Sequence, residues 1–162
     1  MTRSRILIRR AQKGDASLLN AALRALSRHH GDTHRASDED IAEAGFGPNR
    51  SFVGVLAETD GRLAGAAIFS PLYSTIRGCA GVYVSDLWVA EDCRGAGLGR
   101  RLLATAAKVA VAEWAAGFLR LSVRAGNEPA HAFYARLGFS PDDKDTYLTL
   151  EGSAFAALKP DA

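Results

Sequence analysis

Cysteine is scarce in this chain. Cys79 and Cys93 are the whole supply in 162 residues, with no CxxC spacing, which excludes a disulfide framework and leaves two buried or idle thiols as the expectation. Nowhere do five like charges run together, and twenty basic residues against eighteen acidic ones leave a formal charge of +2. Such a balance lacks the basic stripe of a nucleic-acid arm, so nucleic acid is not an expected partner. Long apolar runs are missing too. The start, MTRSRILIRR, has an apolar run only from Ile6 to Ile8, far short of a signal-peptide core or a membrane span. It is expected to be the first strand of a cytoplasmic protein with no membrane attachment. No internal repeat, low-complexity tract or linker divides the sequence.

What is present is a globular composition, 48% hydrophobic, which suits one domain over residues 1–162 with a proper core. After RILIRR, the residues Leu18, Leu19, Ala22, Leu23 and Leu26 recur at helical spacing. The polar stretch SRHHGDTHRA is expected to end that helix. Ser37, followed three residues later by Asp40, resembles a capping box opening a short helix, DEDIAEAGF. SFVGVLAE and RLAGAAIFS, joined by TDG, predict an antiparallel hairpin. Pro71 to Gly78 is expected as a loop or edge, and AGVYVSDLWVA as a third long strand. Leu98, Leu102, Ala106, Val109 and Ala110 predict a helix to about Gly117. FLRLSVR then reads as strand, EPAHAFYARLG as a helix closed by Gly138, and TYLTLEG as a last strand. The expected order is β-α-α-β-β-β-α-β-α-β, a mixed α/β domain.

The stretch EDCRGAGLGRRLL follows a predicted strand and opens a predicted helix. A glycine-rich turn in that position leaves backbone N–H groups unpaired at the positive end of a helix dipole, where a pyrophosphate fits. Spacing selects among the ligand classes that use this device. A Walker loop ends in Gly-Lys-Ser/Thr, whereas Gly99 is followed by Arg100 and Arg101. A dinucleotide fingerprint needs GxGxxG in the first βαβ unit, whereas Gly95, Gly97 and Gly99 are spaced by two and follow three strands.

The loop RGAGLG, Arg94 to Gly99, after a strand ending DLWV, resembles that of the GNAT (Gcn5-related N-acetyltransferase) superfamily. NEPAHAFYARLGF, Asn127 to Phe139, is similar to the closing N-x-x-A-x-x-F-Y-x-x-x-G-F segment of the same superfamily. With DEDIAEAGFG added, the likeness is greatest to the diamine (spermidine/spermine) acetyltransferase branch and covers roughly residues 6–150. It implies a mixed, mostly antiparallel twisted sheet with helices on both faces, acetyl-CoA as cosubstrate, and a homodimer. By the same resemblance, Arg94, Gly95, Ala96, Gly97, Leu98, Gly99 and Arg100 would hold the pyrophosphate. The backbone of Leu87, Trp88 and Val89 would pair with the pantetheine amides.

Thioester aminolysis needs a neutral amine, a donor for the carbonyl oxygen as it gains charge, and an acid for the departing thiolate. The resemblance implies Tyr134 as that acid; the alternative is an aromatic packed beside Phe133. The N–H of Leu87 or Val89 would be the oxyanion donor. Asn127 would contact the cofactor, cap the following helix, or both. Asp86 is the candidate for steering or deprotonating the amine, although diamine enzymes of this branch carry an acidic pair and Ser85 stands in its first place here. His131, one turn before Tyr134, either lines the same cleft or is an exposed helix residue.

His30 and His34, four apart and near His29 and Asp32, raise a metal question. Gly31 breaks the helix between them and no partner motif follows, so a solvated loop and no metal are expected. The segments LYSTIRG and SRHHGDTHR are poor in acids, and only Asp32, Asp86 and the early DED could neutralise a polycation. The expected activity is acetyl transfer to a primary amine of a small molecule, diamine-like or amino-acid-like, with the amino-acid-like kind favoured over spermine. The alternative is an acetyl-CoA-binding regulatory or degenerate member without turnover.

Overall fold

Asp60 and Gly61 both take positive φ, 50° and 73°, the condition for a two-residue turn whose twist matches the strands it joins. They close a hairpin between β2 (Val53–Thr59) and β3 (Arg62–Ser74), where Thr59 lies opposite Arg62. This hairpin is the centre of a computed structural model that describes residues 5–158. The chain forms two units, Met1–Ser122 and Val123–Ala162.

The first unit holds a five-stranded sheet in the order β1-β2-β3-β4-β5. Here β1 is Leu7–Arg10, β4 is Cys79–Val89 and β5 is Leu119–Leu121. Every pairing is antiparallel except β4 with β5. Three helices pack on it: α1 (Ala16–His30), α2 (Asp38–Phe46) and α3 (Leu98–Trp114). Side-chain alternation along the strands separates the two faces. Leu56, Ala66 and Ile68 are buried with Leu19, Ala22 and Leu23 of α1 and Ile41 of α2, and Trp88 packs against them. On the other face, a Cβ built on Gly65 would meet Leu102 at 2.9 Å and Leu98 at 3.5 Å, both from α3. Phe69 meets Trp114 edge-on at 6.2 Å.

The expected capping box is present at α2. Ser37 Oγ accepts from the Asp40 N–H at 3.1 Å, and Asp40 accepts in return from the Ser37 N–H at 2.8 Å. The first helix runs further than its apolar pattern. Arg28, His29 and His30 form its last turn, and it stops only at Gly31, whose φ of 75° is left-handed. Of the loop or edge expected at Pro71, the structure forms an edge strand: Pro71 pairs with Val82 within β3. It is tolerated because β2 pairs with β3 no further than Phe69, so Pro71 lies where β3 has become an edge and needs no N–H on that side.

The second unit contains α4 (Glu128–Arg136) and α5 (Gly152–Ala157). FLRLSVR yields a strand only at Leu119–Leu121. The last expected strand, TYLTLEG, pairs with no strand among the described residues. Tyr147 and Leu148 are exposed, and an alternating sequence makes a strand only where a neighbouring backbone accepts its hydrogen bonds. The fold class is unaffected: a mixed sheet with helices on both faces.

Candidate active site

A bulge in β4 creates the central feature. Ile68 of β3 lies opposite Asp86, yet the next residue, Phe69, lies opposite Val84, so Ser85 is the extra residue. Its hydroxyl donates to the Ile68 carbonyl at 3.3 Å, pinning the kink. Beyond it the sheet comes open. β5 pairs with Val82, Tyr83 and Val84 only, so among the described residues no strand lies beside β4 from Ser85 to Val89 on that side.

Which backbone groups face the open side follows from alternation. The Ala90 N–H donates to the Ala64 carbonyl of the β3 side at 2.9 Å. Counting back in twos, Trp88 and Asp86 also turn their N–H and C=O groups to β3, and Leu87 and Val89 turn theirs outward. Of the three strand residues expected to pair with a cofactor, Trp88 therefore has its backbone engaged by Ala66, its register partner, and its side chain in the α1 face. Leu87 and Val89 carry the outward groups. The Val89 carbonyl already accepts from Arg94 Nε at 3.0 Å.

Arg94 leads into the glycine loop, which ends at α3. Gly95 and Gly97 have φ of 76° and 78°, a region that side-chain-bearing residues rarely enter, and nothing stands within 4 Å of where their Cβ atoms would be. Gly97 is the N-cap of α3 and provides no side-chain cap. The N–H groups of Leu98, Gly99 and Arg100 thus open the helix without a capping oxygen, beside the small Ala96, at the positive end of a seventeen-residue dipole. This donor set suits a pyrophosphate, and the outward amides of Leu87 and Val89 suit an extended amide-bearing arm.

Asp86 lies on the α1 face, as its register partner Ile68 does. Burial pushes its carboxyl pKa up, while the Ser85 hydroxyl and the positive fields of His30 and His34 pull it down. Of the histidines expected in a solvated loop, His29 is exposed but ends α1 with His30, and only His34 lies in the connection. His34 is half-buried, with Nε2 at 2.8 Å from Asn20 Oδ1 and Nδ1 at 3.0 Å from Ser27 Oγ. Asn20 was not expected in any site, yet it is fully buried. A signal existed: Asn20 falls on the stripe formed by Ala16, Leu19 and Leu23, where an amide must find partners. Among the described residues no group of three His, Cys, Asp or Glu side chains is arranged to hold a metal ion.

In the second unit, Asn127 caps α4, its side chain accepting from the Ala130 N–H at 3.3 Å. Tyr134 stands edge-on to Phe133 and Phe139, with ring centroids 5.0 and 5.4 Å away. Burial pushes its hydroxyl pKa up, favouring the protonated form. His131 is exposed and bonds the Arg124 carbonyl through Nε2 at 3.0 Å.

The chain matches the Acetyltransferase (GNAT) family across residues 17–139, and it belongs to that family. It is an N-acetyltransferase, with acetyl-CoA as the cosubstrate. It is 29% identical over 143 residues to thialysine N-epsilon-acetyltransferase of Sus scrofa, covering 82% of this chain and 83% of that one. It is 40% identical over 109 residues to streptothricin acetyltransferase of Streptomyces lavendulae, covering 67% of this chain and 54% of that one. Among solved structures, an aminoglycoside N-acetyltransferase in complex with CoA superposes with a TM-score of 0.75 at 17% identity, covering 94% of this chain and 99% of that one.

Proposed function

We propose that this chain acetylates a primary amine of a small molecule, of amino-acid-like rather than polyamine character, by direct transfer. Support comes first from the open edge of β4, where a bulge frees the amides of Leu87 and Val89 while Asp86 points to the opposite, helix-covered face of the same strand. Acetyl-CoA supplies the activated acyl group. The uncapped start of α3, with Arg94 through Arg100, binds its pyrophosphate, and the outward amides of β4 orient the arm that follows. The Leu87 or Val89 N–H stabilises negative charge on the carbonyl oxygen as the amine attacks. Asp86 steers the ammonium and takes its proton, directly or through water. Tyr134 gives its hydroxyl proton to the sulfur as the C–S bond breaks, and Asn127 combines its capping bond with a cofactor contact.

Two features favour an amino-acid-like acceptor. Named relatives act on thialysine and streptothricin, and the last turn of α1 with the connection after it carries Arg28, His29, His30, His34 and Arg35 against the single acid Asp32, which suits a substrate carrying its own carboxylate. The same reading makes the protein a cytoplasmic homodimer, checked by light scattering. The decisive experiment is a screen of primary amines with purified protein and acetyl-CoA, reading released thiol. Thiol release with lysine-like amines supports the reading, and none with any amine above the hydrolysis background rejects it.

A further inference from the structure

Arg77 and Arg120 lie against one aromatic ring. Their guanidinium carbons are 4.9 and 5.9 Å from the centroid of Phe118. The ring is seated over Gly81, where a Cβ would meet it at 2.5 Å, and glycine there leaves room for it. Contact with a ring uses none of the N–H donors of a guanidinium. Among the described residues neither side chain meets a carboxylate, whereas Arg9, Arg10, Arg50 and Arg62 each bind an Asp or Glu. Arg77 is exposed and Arg120 half-buried. Two like charges beside one ring repel, and an anion received there offsets that repulsion while taking up the idle donors.

The strand register places this pair on the face that holds Asp86. With Ile68 opposite Asp86, alternation past the bulge puts Tyr83 and Gly81 of β4 on the α1 face, opposite Ser70 and Leu72 of β3. The row continues into β5. Arg120 lies beside Tyr83, Phe118 precedes it by two residues, and Ser122, two further on, approaches the Tyr83 hydroxyl at 3.3 Å. Arg77 joins them from the turn between β3 and β4. Three residues of strand separate Asp86 from Tyr83, about 10 Å, and Arg120 stands one strand across from Tyr83. Asp86 is the sole acid among the strand positions of this face from the bulge to the hairpin end. The face is therefore bipolar, with a carboxylate at the bulge and two guanidiniums toward the hairpin. An extended lysine separates its side-chain amine from its carboxylate by about 7 Å, a span that the Asp86 and Arg120 side chains can close from either end.

We infer that Arg120, with Arg77, is the anion subsite of the acceptor: their N–H donors take the substrate carboxylate while Asp86 holds the ammonium at the other end of the same sheet face. This rests on the assignment of Asp86 to the acceptor in the preceding section. It names the residues that select an amino-acid-like amine. The bases around the end of α1 make the surroundings of Asp86 positive, whereas Arg77 and Arg120 offer donors in a fixed place. Phe118 is what fixes them: a guanidinium already resting on a ring loses less side-chain freedom when its anion arrives.

Lysine and lysinamide differ at this subsite by one carboxylate. With acetyl-CoA saturating, wild-type kcat/KM for lysine should exceed that for lysinamide by about tenfold, the worth of one charged, hydrogen-bonded pair. Arg120→Gln should bring that ratio near one through a rise in KM for lysine. Should Arg120→Gln fail to fold, Arg77→Gln on the exposed hairpin end reads the same ratio, with a fall of about threefold expected for a more solvated partner. A wild-type ratio near one, or a ratio that neither substitution moves, overturns the subsite even when both amines are acetylated. A raised KM for acetyl-CoA in Arg120→Gln with the lysine ratio kept would give these donors to the cofactor phosphates, which also overturns it. No thiol release from either amine instead rejects the acceptor reading of the preceding section, and binding then decides the subsite. The 15Nε NMR signal of Arg120, assigned by its loss in Arg120→Gln, should shift on addition of lysine and not of lysinamide. A signal unmoved by millimolar lysine rejects the subsite whatever the activity.

Discussion

Arg94 Nε donates to the Val89 carbonyl at 3.0 Å, so the first residue of the glycine loop reaches back onto the outward edge of the strand that precedes it. Strand edge and helix start are thereby held as one surface, with the left-handed Gly95 and Gly97 between them.

From that surface comes the first prediction. Acetyl-CoA should raise the melting temperature of the free protein, since a ligand at a hundred times its dissociation constant contributes about 2.7 kcal/mol. Gly97→Glu should remove the shift for two reasons: a φ of 78° strains any side chain, and the added carboxylate would repel a pyrophosphate bound at the start of α3 as proposed. A variant that melts normally and still shows the full ligand shift would move the cofactor elsewhere.

A second prediction concerns Tyr134. Tyr134→Phe should retain acetyl-CoA binding yet lose about 100-fold in turnover, the lower range for a lost general acid. Burial raises the folded pKa of this hydroxyl above its usual value, so the proton donor persists to higher pH than an exposed tyrosine would. The rate ratio of wild type to Tyr134→Phe should therefore stay constant up to about pH 9, below the ordinary tyrosine value near 10. Equal turnover in the two proteins, with chemistry rate-limiting, would reduce Tyr134 to a packing residue between Phe133 and Phe139.

Much of this was legible in the sequence because it is written in local rules. The Asp60-Gly61 turn, the Ser37–Asp40 capping box and the glycine loop each depend on a few adjacent residues, and each forms as expected. TYLTLEG failed for the opposite reason, and at Pro71 the same reason left the expectation open between loop and edge. Whether a segment is strand depends on which neighbour is present to pair with it, and neither the end of β2 at Val53 nor the lack of a strand partner beside Tyr147 is encoded within those segments. The bulge at Ser85 and the socket of His34 also need long-range partners, Ile68 and Asn20. A histidine after a helix-ending glycine looks solvated until the buried amide it meets is known.

The third prediction tests the frame that carries the site. Asp15 accepts two hydrogen bonds from Arg9, at 2.7 and 2.9 Å, and one from the Gln12 N–H at 2.7 Å, while Arg9 also binds Glu58 at 2.9 Å. Its folded pKa is lowered, chiefly by the Arg9 hydrogen bond. A depressed carboxylate contributes stability that is fully present above the unfolded value near 3.9 and is lost as pH falls through the folded value. Asp15→Asn should therefore cost about 1.5–3 kcal/mol at pH 7, the range for charged hydrogen bonds, and progressively less below pH 4. Urea unfolding at several pH values reads this directly; a cost that stays constant into the acid range would contradict it.

The last prediction concerns substrate choice. Each additional ammonium of a polyamine must leave water, and this is favourable only where a carboxylate replaces that water. Near α1 and α2 the acids are few, and two are already occupied: Asp38 accepts from Asn20 at 2.7 Å, and Asp40 accepts from the Ser37 N–H at 2.8 Å. At the β3–β4 hairpin, Arg77 stacks 4.9 Å over the Phe118 ring, adding positive charge rather than removing it. Lysine-like amines should then exceed spermidine and spermine in kcat/KM when the three compete for limiting enzyme. Asp86→Asn should depress the favoured substrate by about 100-fold, since one carboxylate must still hold or relay the reacting proton. Asp40→Asn should leave selectivity unchanged and weaken only the capping box with Ser37. A clear preference for the longer polyamines would instead show that carboxylates outside this list, such as Asp32 or Glu39, face the acceptor.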